Sequence, residues 1–408
     1  MMSLPGNTDL SSYDASVTPM TPLTATTTMR SAILLASNDV NDVSLFLNGL
    51  TQNILILYDL FESLGYDSYL LHQGSSASAS AEKRAFLHRY RTITPKEVIQ
   101  RPMPIAVLVE IGMSLDSVTR GYLRSTGTKI VKLYLGNILN IDVETVQMCP
   151  SVFFYHHLVG EIDEIWTSPH YKQHLDYAAL LNQTERENAY VVPYVWDPCF
   201  LTQYGSGGSS MEWVAPASWE STDIVIMDPN ISFQKCYFYS LLLAEAFAQT
   251  HPEWKGKVVV VNGDRIAMQS RGRNVVLPSL SLYQAGRIIL TGRKPIHTIL
   301  KENRSACFLT HQWNNDFNYM TLELMHCHYP LLHNSEGWKE FGYSYSIDRW
   351  EEAVATLYQA MRYHAQNLAM YSTHAANLQW KHSIHHPAIQ AEWQAHLSRH
   401  KAPVACLL

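Results

Sequence analysis

The chain has 408 residues, of which 47% are hydrophobic and 16% are charged, a composition that suits two folded domains and excludes disorder of the whole chain. The formal net charge is -6 and no long basic run occurs, which disfavours a nucleic-acid partner that would be bound through its phosphates. The six cysteines stand singly without a CxxC pair, so neither a zinc knuckle nor a disulfide framework is indicated, and a reducing, cytoplasmic setting is expected.

Two further expectations concern the N-terminus and membranes. Residues 1–29 are rich in Ser, Thr and Pro and lack the apolar core of a signal peptide, so we expect a disordered tail. No apolar run reaches the roughly 18 residues that cross a bilayer, so no transmembrane segment is expected.

Short apolar runs alternate with helical patterns along the rest of the chain. Strands are predicted at 31–37, 67–72, 105–111, 129–135, 164–167 and 190–195, and then at 223–227, 257–261, 287–291, 306–310 and 330–333. Helices are predicted at 50–64, 115–125, 169–181, 233–250, 319–326 and 349–375. This alternation indicates α/β structure with parallel sheets. The run GSGGSS at 205–210 reads as a flexible linker, which predicts two doubly wound, Rossmann-like domains over 30–204 and 221–360, joined over 205–220.

Five segments in order resemble the donor half of retaining, family-4-like GT-B glycosyltransferases, within a poorly characterised branch. They are VPYVWDPCF at 192–200, MDPNISFQK at 227–235, the pair Gly292 and Arg293, LTHQ at 309–312, and NDFNYMTLE at 315–323. The resemblance implies two Rossmann-like domains that face a cleft (GT-B), a nucleoside-diphosphate sugar bound in the second domain, and C-terminal helices over 361–408 that return towards the first. It also implies retention of anomeric configuration.

The resemblance assigns the main roles to three residues. Lys235 falls where the family has a lysine on the donor diphosphate, and Arg293 is a second candidate for that phosphate. Glu323 falls on the glutamate that accepts hydrogen bonds from the ribose hydroxyls, a task that suits a carboxylate. The chain departs from the pattern at Asn230, where the family has arginine, and at Asn315, where it has a glutamate.

Other positions are weaker candidates, because each also suits an ordinary core, cap or surface role. The further donor-side candidates are His311, Asp316, Asn318, Tyr319, His333 and Asn334. The candidates on the acceptor side of the cleft are Gly49, Thr51, Asn137 and His156. The C-terminal histidines, including His382, are interpreted as part of a solvated tail rather than as a metal site.

The sequence therefore predicts a glycosyltransferase that needs no metal and no cofactor beyond its donor substrate and that acts on a glycan or other hydroxyl acceptor. No Asp-x-Asp pair occurs, so cationic side chains and helix N-termini are expected to stabilise the leaving diphosphate. Two alternatives stay open: a GT-B-like binding or assembly protein without transfer activity, and another nucleotide-sugar enzyme of the same fold.

Overall fold

The computed structural model describes residues 30–37, 45–46, 49–72, 85–101, 103–111, 115–148, 157, 159–205 and 211–400. The predicted tail at 1–29, most of the Gly/Ser run and His156 lie outside these ranges. No helix in the described ranges combines the length and the apolar character that crossing a membrane requires.

The first half of the chain forms a seven-stranded sheet in which all neighbouring strands are parallel. Its strands are β1 (Ala32–Ala36), β2 (Asp67–Leu71), β3 (Thr92–Ile93), β4 (Ile105–Glu110), β5 (Lys129–Tyr134), β6 (Glu164–Thr167) and β7 (Ala189–Val191). Their spatial order is β3-β2-β1-β4-β5-β6-β7. The central strands β1 and β4 are buried along their whole length, which explains their near-continuous runs of Ile, Leu and Val.

Helices connect these strands. They are α1 (Gly49–Ser63), α2 (Pro95–Gln100), α3 (Ser117–Ser125), α4 (Ile138–Met148), α5 (Leu175–Asn182) and α6 (Cys199–Gly205). A 3-10 turn at Pro169–His174 precedes α5. Because every strand is parallel, the loops that follow the strands all leave the same edge of the sheet.

The second half forms a six-stranded parallel sheet with the order β10-β9-β8-β11-β12-β13. Its strands are β8 (Ile224–Ile226), β9 (Val258–Val260), β10 (Ile288–Leu290), β11 (Cys307–Leu309), β12 (Leu331–His333) and β13 (Tyr343–Ser344). The strand order reverses between β8 and β11. In doubly wound sheets such a switch point leaves a crevice at the carboxyl ends of the strands, where ligands bind.

The helices of the second half are α7 (Phe238–Thr250), α8 (Asp264–Met268), α9 (Ser281–Gln284), α10 (Ile296–Glu302), α11 (Tyr319–His326), α12 (Trp350–His382) and α13 (Pro387–Ser398). The helix α13 packs on the first half, where Trp393 makes edge-on contacts with Phe61 and Trp166 at centroid distances of 5.4 and 5.5 Å. The C-terminal helices therefore tie the two halves together.

The structure corrects one predicted helix and the interpretation of one histidine. The predicted helix at 233–250 begins only at Phe238, and Lys235 ends a separate 3-10 turn, Phe233–Lys235, so it is not in the first turn of a helix. The interpretation of His382 as part of a solvated tail is wrong. It is 5% exposed, its Nε2 accepts from Trp338 Nε1 at 2.9 Å, and its Nδ1 contacts the carbonyl oxygen of Tyr194 at 3.2 Å.

Candidate active site

The loops at the carboxyl edge of the first sheet meet those at the carboxyl edge of the second. Asn137, which follows β5, donates from its side chain to the carbonyl oxygen of Asn314 at 2.8 Å. Tyr171, which follows β6, donates through its hydroxyl to Oδ1 of the buried Asn315. The structure thus brings together candidates that lie far apart in the sequence, on both sides of one cleft.

Glu323 lies on α11 where this helix meets α1. Its carboxyl is 5% exposed and accepts a hydrogen bond from Gln52 Nε2 at 2.6 Å. Burial raises the pKa of Glu323 to about 7, although the hydrogen bond from Gln52 acts in the opposite direction. The carboxyl proposed for ribose binding is therefore held by an amide of the other half of the molecule.

The beginning of α1 packs tightly against the beginning of α11. A Cβ atom at Gly49 would lie 3.2 Å from the ring of Tyr319, so a glycine permits this close approach. The Tyr319 hydroxyl accepts from Asn53 Nδ2 at 2.7 Å and donates to the carbonyl oxygen of Val195 at 2.6 Å. Asn318 caps α11 by accepting from the Met320 N–H at 3.1 Å. These contacts give Gly49 and Tyr319 a role in packing and Asn318 a role in capping α11.

Asp228 lies at the switch point, directly beyond β8, and is fully buried. Its carboxyl accepts from the Thr310 hydroxyl at 2.6 Å, from the His311 N–H at 3.3 Å and from the Gln312 side chain. Burial raises the pKa of Asp228 to about 7, and these hydrogen bonds together with the charge of Lys235 oppose the rise. The carboxyl thereby holds the loop after β11 against the end of β8.

Lys235 and His170 face the same part of the cleft from opposite halves. Lys235 is half-buried, and within the described ranges no carboxylate forms an ion pair with its ammonium group. Burial lowers the pKa of Lys235, while the charge of Asp228 raises it. Both ring nitrogens of His170 are buried without a hydrogen-bond partner in the described part of the chain. Burial, and next the charge of Lys235, lower the pKa of His170 to about 3, so its imidazole is neutral.

His170 was missed in the sequence. It occurs in Ser168-Pro169-His170, immediately after a strand that the sequence does predict, and that position was the available indication. Its importance depends on a neighbour 65 positions away, Lys235, which only the fold supplies.

Several predicted donor-side residues use their polar groups to hold the loops. Asn230 has a left-handed φ of 55°, accepts from the Tyr237 N–H at 2.6 Å and donates to the carbonyl oxygen of Val261 at 3.0 Å. Asn334 holds the backbone of Gln312 at both its N–H and its carbonyl oxygen, each at 2.8 Å. These two asparagines therefore shape the crevice from its rim.

The remaining candidates differ in exposure. His333 is buried, with Nε2 on the carbonyl oxygen of Phe341 at 2.8 Å and Nδ1 accepting from the Ser335 N–H at 3.2 Å. His311 is also buried, and burial lowers its pKa to about 4. Asp316 is half-buried, and burial raises the pKa of its carboxyl. Thr51 is half-buried in the first turn of α1.

Arg293 is not brought to the switch point. It is exposed in the loop after the edge strand β10, two strands away from β8 in the sheet order. Within the described ranges no three His, Cys, Asp or Glu side chains group as a set of metal ligands.

Comparisons with known proteins identify the fold. Residues 35–397 match the family model described as "Protein of unknown function (DUF2827)", and no curated protein matches the sequence. The chain resembles a solved glycosyltransferase from Rickettsia africae ESF-5, with a TM-score of 0.53, 10% identity, and coverage of 91% of this chain and 98% of that one. It also resembles an alpha-glucosyltransferase in complex with UDP, with a TM-score of 0.54, 12% identity, and coverage of 91% and 100%.

A third solved structure extends the same likeness. Anabaena Alr3699/HepE in complex with UDP-glucose has a TM-score of 0.52, 10% identity, and coverage of 90% of this chain and 99% of that one. At this identity the similarity concerns the fold alone. The predicted α/β architecture of two Rossmann-like sheets, GT-B, is confirmed.

Proposed function

The chain belongs to the DUF2827 family, and we propose that it is a glycosyltransferase that moves a sugar from a nucleoside-diphosphate sugar to an acceptor hydroxyl. The observation that carries the proposal is the Lys235 ammonium group, which faces His170 across the interdomain cleft and forms no ion pair in the described ranges, the nearby Asp228 carboxyl having a pKa raised to about 7. A half-buried cation that is not paired favours an anionic ligand, and a diphosphate supplies that charge. The UDP and UDP-glucose bound in two of the similar structures support the same ligand class.

In the proposed reaction, the Lys235 ammonium group lies where negative charge develops on the leaving group. The bond between the anomeric carbon and the diphosphate oxygen breaks, the acceptor hydroxyl oxygen forms the new bond to that carbon, and the hydroxyl proton passes to the leaving diphosphate. Negative charge accumulates on the leaving diphosphate, and the Lys235 ammonium group stabilises it. The neutral His170 imidazole, on the opposite wall, is placed to exchange a hydrogen bond with the substrates rather than to carry a charge. Departure without a metal belongs to this proposal because the sequence has no Asp-x-Asp pair, and retention of configuration belongs to it through the family resemblance.

Donor binding in this scheme changes the environment of Glu323. The ribose hydroxyls replace Gln52 as donors to the carboxyl, so the contact between Gln52 and Glu323 opens. An ionised carboxylate accepts two hydroxyl hydrogen bonds better than a protonated one. We therefore expect nucleotide binding near pH 7 to lower the pKa of Glu323 and to release a proton.

A second candidate function is nucleotide binding without transfer. Asn230 and Asn315 stand where the related family has arginine and glutamate. The side-chain amides of both residues already form hydrogen bonds with other protein groups beside the cleft. A protein that keeps the nucleotide site but lacks these groups would bind the donor and leave it intact.

The test is calorimetric titration of nucleoside diphosphates and their sugars, starting with UDP and UDP-glucose. We expect Lys235→Met to weaken diphosphate binding at least tenfold, whereas Lys339→Met, which removes an exposed lysine paired with Glu336, keeps the wild-type affinity. A ligand at about 100 times its Kd stabilises the folded protein by roughly 2.7 kcal/mol, which a thermal melt detects. If no nucleoside diphosphate or nucleotide-sugar binds the wild type, the proposal is wrong.

Turnover separates the two candidates. A glycosyltransferase releases free nucleoside diphosphate from its donor, slowly to water and faster with an acceptor, and Lys235→Met reduces that rate. Binding without any release over hours supports the second candidate instead.

A further inference from the structure

A groove of about 760 Å³ lies beside the proposed donor site. It is bounded by residues 230–233 and 236–238, by α8, by the π turn Gly272–Val276 and, on the side of the first half, by Glu144 of α4. The volume lies within the range of roughly 300–1,000 Å³ that small-molecule sites occupy. The mechanism proposed above makes no use of this groove.

The walls of the groove are apolar and open to solvent. The exposed fractions are 78% for Met268, 58% for Val275, 54% for Ile231, 46% for Phe233 and 44% for Phe238. Single exposed apolar side chains are common, but several that line one concave surface mark a binding site. These side chains offer hydrocarbon contact and no hydrogen bonds.

The charged groups of the groove favour an anion. Arg265 and Arg271 line it, both are exposed, and in the described part of the chain neither forms an ion pair with a carboxylate. The acidic side chain on the groove is Glu144, whose Oε1 accepts from the Phe233 N–H at 3.2 Å. Two guanidinium groups against one carboxylate leave the groove positive, and arginine binds phosphate and carboxylate through paired N–H donors.

We infer that the groove binds an amphiphile in which a hydrocarbon chain is joined to a phosphate or a carboxylate. The hydrocarbon chain of the amphiphile lies on the apolar walls, because burying each of its methylene groups is favourable. The anionic group lies at the two arginines. Residues 230–233 and 236–238, which form one wall, flank Lys235, which faces His170 across the cleft. Resting on the proposed function, the bound amphiphile is the acceptor and also carries a hydroxyl group, which is directed to the donor sugar.

The site for the hydrocarbon chain is tested by calorimetric titration of decyl phosphate, below its critical micelle concentration, into the full-length protein. Met268→Glu places a carboxylate on the apolar wall and is expected to weaken binding at least tenfold. Leu180→Glu is the matched control, because Leu180 is 80% exposed on α5, outside the groove lining, and it is expected to stay within twofold of the wild type. Wild-type affinity in Met268→Glu, or equal loss in both variants, overturns the inference.

The head-group site is tested with the double variant Arg265→Ala and Arg271→Ala. We expect it to bind decyl phosphate at least tenfold more weakly while 1-decanol, which has the chain without the charge, binds it as it binds the wild type. Inorganic phosphate alone is expected to bind far more weakly than decyl phosphate. An unchanged affinity for decyl phosphate in the double variant, or phosphate binding as tight as that of decyl phosphate, contradicts the assignment.

Two measurements keep this inference separate from the proposed function. UDP titration of Met268→Glu is expected to match the wild type, so loss of decyl phosphate binding with intact UDP binding concerns the groove alone. If no nucleoside diphosphate or nucleotide-sugar binds the wild type while decyl phosphate still binds in the groove, the proposed function and the acceptor role are overturned but the amphiphile site is not. Sedimentation of the wild type and of Met268→Glu tests whether a second copy of the protein fills the groove instead. A wild-type dimer that Met268→Glu dissociates would show that it does and would overturn the inference.

Discussion

Replacement of Glu323 by glutamine tests the buried contact that joins the two halves at the cleft. The carboxyl has a pKa of about 7 in the folded protein against 4.5 for the free group, because it is buried on α11 beside Gln52. Between these two values the folded state keeps its proton and the unfolded state loses it, so this carboxyl lowers the free energy of unfolding as the pH rises. The difference between these two pKa values corresponds to roughly 3 kcal/mol of free energy of unfolding in total, most of which is lost between pH 5 and pH 8.

Glutamine does not titrate, and its carbonyl oxygen still accepts from Gln52, so the variant lacks this pH dependence. Urea denaturation of both proteins at pH 5 and pH 8 therefore measures the effect as a difference, in which every other titrating group cancels. We expect Glu323→Gln to gain about 2–3 kcal/mol of stability relative to the wild type on going from pH 5 to pH 8. The exposed Glu187→Gln is the control and should run parallel to the wild type. Parallel curves for Glu323→Gln as well would refute the argument, because they would mean that the native carboxyl is solvated.

Two further predictions address the interface around the cleft. Gly49→Ala is expected to destabilise the protein by about 1–3 kcal/mol, because the new methyl group meets the Tyr319 ring at 3.2 Å, as thermal or urea unfolding will show. Gly121→Ala in α3 is the control, because no atom lies within 4 Å of the added Cβ. We expect this change to stabilise the protein by about 0.5–1 kcal/mol. Destabilisation in both variants would contradict the packing argument. Tyr171→Phe leaves the buried Oδ1 of Asn315 without its donor and is expected to cost about 1–3 kcal/mol in urea denaturation, and an unchanged midpoint would refute the interdomain hydrogen bond.

Elements with a strong local pattern were predictable. Helix Tyr319–His326 and strand Glu164–Thr167 have the predicted bounds, and β1 and β4 differ from prediction by one residue at their ends. Short or weakly apolar elements were missed. The strand Thr92–Ile93 has only two residues, α4 has no sharp apolar face, and the turns between Asp264 and Gln284 break any single helical period.

The candidate site was predicted in part. The sequence places Lys235 and Glu323 on segments that follow β8 and β11, and parallel topology brings those segments to one edge. It did not indicate that Glu323 would pair with Gln52, 271 positions away. Arg293 was an attractive cation in the sequence, but strand order leaves it at the far edge of the sheet.

The sequence by itself determined the α/β class, the alternation of elements and most strand positions, because these depend on local periodicity and on the spacing of glycine and polar residues. Tertiary structure alone decided which side chains share the cleft, since contacts such as Tyr171 with Asn315 depend on how two sheets dock. It also decided the protonation of the site. The pKa values of Asp228 and Glu323 rise because long-range packing removes water from them, and no local pattern of residues reports that burial.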